Sequence, residues 1–187
     1  EAVSWHQDTP DISLDMLSRA GVTPTASLID IGGGASRLAD HLLARGFDDL
    51  CVLDVSQEAL AKACNRLGQA SRRVTWIVAD VTLWEPARAF DVWHDRAALH
   101  FLTREDDQRA YVGRLKRALK PGGRAILGAF APDGPEKCSG LPVVRHDARS
   151  LAALLGDDFA FDDERRHDHV TPWGSVQRFR FSLFTRR

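Results

Sequence analysis

The sequence carries almost no net charge. Lys and Arg total 25 against 26 Asp and Glu, a balance of −1 at pH 7. Such a chain has no long-range pull on phosphate backbones or anionic lipids, so neither nucleic acid nor a membrane surface is an expected partner. A local basic patch stays open. No apolar stretch approaches the roughly 20 residues that span a bilayer, and no signal peptide is visible at the start. Because the chain opens on Glu1 rather than Met, the expectation is that a preceding piece is missing, and any targeting segment with it. Cysteine is scarce as well. Three cannot all pair, and Cys51 in a strand pattern and Cys64 in a helix pattern both read as small core residues. This is the composition of a reducing compartment, the cytoplasm, and not of a disulfide framework. Repeats, low-complexity segments and long linkers are missing too.

What is present is an ordinary globular composition, 44% hydrophobic and 27% charged over 187 residues. The length suits one α/β domain over residues 1–187, with an N-terminal lid and helix in 1–25 ahead of the core in 26–187. Strand-like apolar runs recur near 27–31, 49–54, 74–79, 90–94 and 123–130, with helices expected over 36–45, 56–68 and 104–119. Ser56 is a natural cap for the second helix, and Lys120, Pro121 and Gly122 stop the third. Alternation of this kind implies right-handed crossovers and a mainly parallel sheet with helices on both faces. The end departs from it. Stretches 159–168 and 176–187 are strand-like, and the five residues Thr171 to Ser175 between them are too few for a crossover helix. An antiparallel hairpin is predicted there. The fold class expected is therefore α/β, a doubly wound, Rossmann-like, seven-stranded and mostly parallel sheet with a C-terminal antiparallel hairpin.

The densest signal lies at 28–37, where the strand Leu28-Ile29-Asp30-Ile31 runs into Gly32, Gly33 and Gly34 and then a helix. Consecutive glycines mark a place where backbone must approach something closely. Twenty residues beyond Gly34, a second strand pattern ends in Asp54. A glycine turn after one strand and a carboxylate at the end of the next describe a nucleotide-type site, the acid accepting from ribose hydroxyls. A dinucleotide reading would want glycine at position 37, which is Arg37. Ligands of such sheets bind beyond the carboxyl ends of the parallel strands. Segments 32–36, 54–56, 80–84, 94–101 and 130–146 should converge there with the hairpin tip 168–175, and residues 3–7 would close over the mouth.

Asp30 with Gly32, Gly33 and Gly34, Asp54 with Val55 and Ser56, Asp80 with Val81, Asp91 with Trp93, and Pro121-Gly122-Gly123 fall in the order and spacing of a known family. From about residue 26 onward the chain resembles the class I S-adenosylmethionine-dependent methyltransferases. The stretches 93–96 and 133–143 resemble a group of small bacterial members. The resemblance implies S-adenosyl-L-methionine as cofactor. Gly32, Gly33 and Gly34 would pass beneath its methionine part, and Asp30 would hold its amino group. Asp54 would bind the ribose, Val55 would pack on the adenine, and Asp80 and Val81 would meet the adenine edge. His94 would lie beside the methionine moiety. Ser36 replaces a glycine of the family pattern.

For catalysis, His94, Asp95 and His100 are the candidates to accept a proton from an attacking group, since a histidine titrates near neutrality. The alternative, in which His94 and Asp95 bond to the loop and Arg96 closes an ion pair, stands beside it. Trp5, His6, Cys138, His146 and Trp173 are the expected acceptor-binding residues, rings supplying rigid apolar surface. Trp93 reads as core. His167 and His169 share a strand face; with no further ligand nearby they suggest a substrate-facing strand end rather than a metal site, and no metal is expected. The expected function is methyl transfer to a small, partly apolar acceptor, by a monomer or homodimer. A protein-lysine methyltransferase and a non-catalytic cofactor-binding subunit are the alternatives.

Overall fold

A computed structural model describes residues 7–187; Trp5 and His6 lie outside the described residues. In chain order come α1 (Asp11–Arg19), β1 (Leu28–Ile31), α2 (Leu38–Ala44), β2 (Leu50–Asp54), α3 (Gln57–Leu67), β3 (Val74–Val78), β4 (Phe90–Arg96), α4 (Glu105–Ala118), β5 (Leu119–Phe130), the short β6 (Lys137–Cys138) and β7 (Leu141–Pro142), α5 (Ala148–Leu155), β8 (Phe159–Val170) and β9 (Val176–Arg186). The main sheet has seven strands in the order β3-β2-β1-β4-β5-β9-β8. The first five are parallel, while β9 runs antiparallel to both β5 and β8.

Period-2 alternation builds the two layers. Leu28, Val52, Val92 and Ile126 face one side of the sheet and pack on Leu14 and Leu17 of α1, Leu38 and Leu42 of α2 and Leu60 of α3. Their neighbours Ile29, Cys51, Trp93 and Leu127 face the other side, where Tyr111 and Leu115 of α4 and Leu151 and Leu155 of α5 cover them. Strands buried on both faces read as continuous apolar runs, which is why the sequence marks them so clearly. α1 is fixed through this core: Leu14, Met16 and Leu17 are buried. Among the described residues no helix is long and apolar enough to cross a membrane, and all three cysteines are free.

Two elements differ from expectation. α4 stops at Ala118, because Leu119 turns into β5 and pairs with Phe90 ahead of a register shift that accommodates Lys120 to Gly123. A Cβ on Gly123 would come within 2.7 Å of the Lys120 carbonyl, so that irregularity needs glycine. α5 lies outside the three helices that the sequence pattern predicts. Its start is a reciprocal cap, the Asp147 carboxylate accepting from the Ser150 N–H at 2.8 Å and the Ser150 hydroxyl from the Asp147 N–H at 3.0 Å.

Candidate active site

A cleft of about 670 Å³ opens along the carboxyl ends of the parallel strands. The sheet order gives it two ends. β2 and β3 bring Asp54 and Asp80 to one flank of β1, while β4, β9 and β8 bring Arg96, Phe179, Phe181, His167 and His169 to the other.

The glycine loop occupies the centre and is wedged against its own protein. The Gly32 N–H donates to the Leu53 carbonyl at 2.7 Å, tying the loop to β2. A Cβ on Gly32 would stand 2.8 Å from the Ala98 Cβ, one on Gly33 2.5 Å from Asp30 Oδ2, and one on Gly34 2.7 Å from Asp54 Oδ2. Gly32 and Gly34 also hold positive φ, +66° and +38°. Each glycine is therefore the space in which a different wall of the cleft stands.

Each acid has at least one oxygen held by the protein. Asp30 is buried and accepts from His94 Nδ1–H at 2.7 Å, while His94 Nε2 meets the Ser13 hydroxyl at 3.0 Å. Asp54 Oδ1 accepts from the Ser56 N–H at 2.8 Å; burial pushes its carboxyl above the usual range, opposed by that bond and one from the Gly34 N–H. Asp80 Oδ1 accepts from the Thr82 N–H at 2.8 Å and hydroxyl at 2.7 Å. Beside them, Val55 is 70% exposed and Val81 is buried. Both line the cleft.

Four candidate residues, Asp95, His100, His146 and Trp173, fall outside the lining. β4 alternates, so His94 and Arg96 turn to the cleft while Asp95 turns to the opposite layer. There Asp95 accepts from the Tyr111 hydroxyl at 2.6 Å and from the Ala98 and Leu99 N–H groups at 2.8 and 3.1 Å. Complete burial pushes its carboxyl up to about 6, the Tyr111 bond opposing. His100 is buried between the rings of Phe101 and Phe130, at 4.6 and 4.8 Å, and burial lowers it to about 3. A proton acceptor for the cleft cannot be drawn from either. His146 is buried, its backbone N–H donating to the Phe130 carbonyl at 2.8 Å and its Nδ1 lying 3.2 Å from the Ser150 hydroxyl. Trp173 sits at the hairpin tip, 61% exposed, away from the cleft. Cys138 does line it, as a thiol whose pKa burial raises.

The far end contains residues that sequence reasoning passed over. Phe179 and Phe181 alternate along β9 and face the cleft with Leu141, Pro142 and Phe101. Gln7 bridges the strands: its side-chain oxygen accepts from Arg96, and its Nε2 lies 3.2 Å from both His167 Nε2 and His169 Nδ1. Among the described residues no group of three or more His, Cys, Asp or Glu is arranged to hold a metal.

An open α/β sheet with a glycine turn after β1 and acids ending β2 and following β3 is the doubly wound arrangement that binds nucleotide-type ligands. Comparison with known proteins narrows this. Residues 29–125, just over half of the chain, match the model of a methyltransferase domain. The chain belongs to that family, the class I S-adenosylmethionine-dependent methyltransferases. Trans-aconitate 2-methyltransferase of Azoarcus sp. (strain BH72) is 31% identical over 110 residues, 58% of this chain and 41% of that protein. The rat N-terminal Xaa-Pro-Lys N-methyltransferase 1 is 27% identical over 143 residues, 71% of this chain and 64% of that one. The chain spans between 41% and 64% of the length of the curated relatives it matches. The fold is shared with the Burkholderia thailandensis 1,6-didemethyltoxoflavin-N1-methyltransferase, solved with 1,6-didemethyltoxoflavin and S-adenosylhomocysteine. That structure gives a TM-score of 0.75 at 21% identity, over 95% of this chain and 77% of the other.

Proposed function

We propose that this protein methylates a small, partly apolar acceptor held at the β4–β8 end of the cleft. The observation that carries the reading is the division of the cleft. One end presents glycines and acids, and the other an apolar surface of Phe101, Leu141, Pro142, Phe179 and Phe181 contributed by the chain itself. A cleft of about 670 Å³ suits a cofactor and a small molecule together.

The donor set fits S-adenosylmethionine. Asp54, with Oδ1 anchored by Ser56, is oriented for the ribose hydroxyls, and Asp80, clamped by Thr82, for the adenine amine. Val55 and Val81 offer apolar contact to the ring, the side-chain-free loop at 32–34 lets the methionine part lie against backbone, and Asp30 faces its ammonium. When bound, the cofactor supplies a methyl group activated by its sulfonium, so transfer is an in-line displacement. The protein's share is alignment and exclusion of water. His94 has both ring nitrogens engaged, by Asp30 and Ser13, which favours its orienting Asp30 over its taking the acceptor's proton. The free cysteines fit work in the cytoplasm.

Incubation of the protein with tritium-labelled cofactor and fractionated cell extract tests the reading. Label should appear in small molecules. Label confined to macromolecules would overturn it in favour of a protein amine as acceptor.

A further inference from the structure

Arg96 carries a charge that the fold does not pair. Its guanidinium lines the cleft, and among the described residues no carboxylate comes within ion-pair distance of it. Asp30 acts on it through space but is committed to His94. The hydrogen bond Arg96 does make goes to the Gln7 side-chain oxygen. Arginine only donates, so this bond sets the Gln7 amide with oxygen toward Arg96 and its NH2 toward β8. The two amide hydrogens are then directed at His167 Nε2 and His169 Nδ1, each 3.2 Å away. Both nitrogens must present lone pairs. In this bond His167 keeps its proton on Nδ1, and burial, with His169 and Arg96, lowers its pKa against the opposing charges of Asp168 and Asp11. Among the described residues lining the cleft, Arg96 is the one arginine or lysine, beside the rings of Phe179 and Phe181.

A partly buried cation in apolar surroundings is poorly solvated unless an anion joins it. One guanidinium fork matches a monoanion with two coplanar oxygens; a phosphate dianion would call for more positive charge than one arginine supplies. Resting on the small-acceptor reading, we propose that the acceptor bears a carboxylate received by Arg96, with its apolar body against Phe179 and Phe181. The methionine carboxylate of the cofactor has the same chemistry. The bridge from Arg96 through Gln7 to β8 favours the acceptor, because it ties the guanidinium to the far end of the cleft.

The test titrates the protein, saturated with S-adenosylhomocysteine, against matched acid and amide probes: phenylacetate and phenylacetamide, hexanoate and hexanamide, benzoate and benzamide. At least one acid should bind about tenfold or more tighter than its amide, the effect of a charge-assisted fork. Arg96→Gln should abolish that preference and leave the S-adenosylhomocysteine Kd within about threefold, while Arg96→Lys, with charge but no fork, should keep part of it. Amides binding as well as acids would overturn the carboxylate and leave the small-acceptor reading standing. Binding of none of the six would count against both. An Arg96→Gln loss of tenfold or more in S-adenosylhomocysteine affinity would assign Arg96 to the cofactor and overturn the proposal. The acid-to-amide ratio in the unmodified protein decides even if Arg96→Gln fails to fold.

Discussion

Gly34→Ala separates the shape of the cofactor loop from its chemistry, because the added methyl group meets the protein's own Asp54. Its Cβ would stand 2.7 Å from Asp54 Oδ2 and 3.3 Å from the Ala59 Cβ. The carboxylate cannot simply rotate away, since Oδ1 is held by the Ser56 N–H at 2.8 Å, and α3 closes the other side. The backbone at φ +38° adds a left-handed penalty of about 1–2 kcal/mol for any residue with a Cβ. The loop or the carboxylate must move, and, with Asp54 binding the ribose as proposed, either withdraws charge-assisted hydrogen bonds from it. Their loss is worth about 1.5–3 kcal/mol, or about 10- to 150-fold in Kd. Calorimetric titration with S-adenosylhomocysteine reads the affinity without turnover, and a thermal melt should show a fall of about 2–8 °C from the backbone penalty. Asp54→Ala should weaken binding by a similar amount, and the double variant should add little to it, because both act through one carboxylate. A folded Gly34→Ala protein with wild-type affinity would refute this reasoning, as would strictly additive losses.

Two further perturbations probe the layer beneath the cleft. Tyr111→Phe removes a hydroxyl that accepts from Trp93 Nε1–H at 2.8 Å and donates to Asp95 at 2.6 Å. It leaves two buried groups short of a partner, and urea unfolding should register a loss of about 2–4 kcal/mol; a change under about 0.5 kcal/mol would contradict the network. His100 is neutral in the fold down to about pH 3, whereas in the unfolded chain it protonates near 6.5. Between those values the unfolded state binds the extra proton, so stability falls as pH drops, by about 1.4 kcal/mol per unit. Asp95, held near 6 rather than 3.8 by burial, acts with the opposite sign between those two values. Comparing unmodified protein with His100→Leu cancels Asp95, and the stability gap should shift in favour of the variant as pH falls from 6.5 toward 3. Parallel profiles would show that His100 does not carry the acid sensitivity.

The cofactor half was legible because its residues sit at the ends of strands that are apolar on both faces. Leu28 to Ile31 and Leu50 to Leu53 are buried throughout, so their ends, and the glycines and acids that follow, can be counted off. At the far end the shared face of His167 and His169 was readable, but the rest was not, for a geometric reason. Gln7 meets His167 and His169 across 160 and 162 residues of chain, and only the antiparallel pairing of β9 with β5 brings Phe179 and Phe181 to the cleft. Their alternation is visible in the sequence, but which face is wet is not. β4 shows how little separates the two outcomes. Nearness to a strand end made Asp95 and His100 look catalytic, yet alternation sends Asp95 to the opposite layer while its neighbours enter the cleft. α5 was overlooked although Asp147 and Ser150 are a readable cap, because eight residues offer only two turns of pattern.

Residues 94–96 thus serve three environments in succession. His94 reaches back to Asp30 beside the glycine loop, Asp95 reaches down to Tyr111, and Arg96 reaches across to Gln7 and β8. The turn that follows is what permits this. Ala97 holds φ +71°, unusual for a residue with a Cβ, and is fixed by its own N–H donating to the Gly128 carbonyl at 2.7 Å and by Asp95 receiving the next two N–H groups. The Ala98 Cβ then stands where a side chain on Gly32 would need to be. Asp95 therefore governs both sides of the cleft without touching either. It holds the turn that confines the glycine loop, and the same turn ends the strand from which Arg96 faces the cleft. On this argument acceptor choice can change through Arg96, Gln7 and the inward faces of β8 and β9 with the cofactor cradle left intact. A change at Asp95 would disturb both at once.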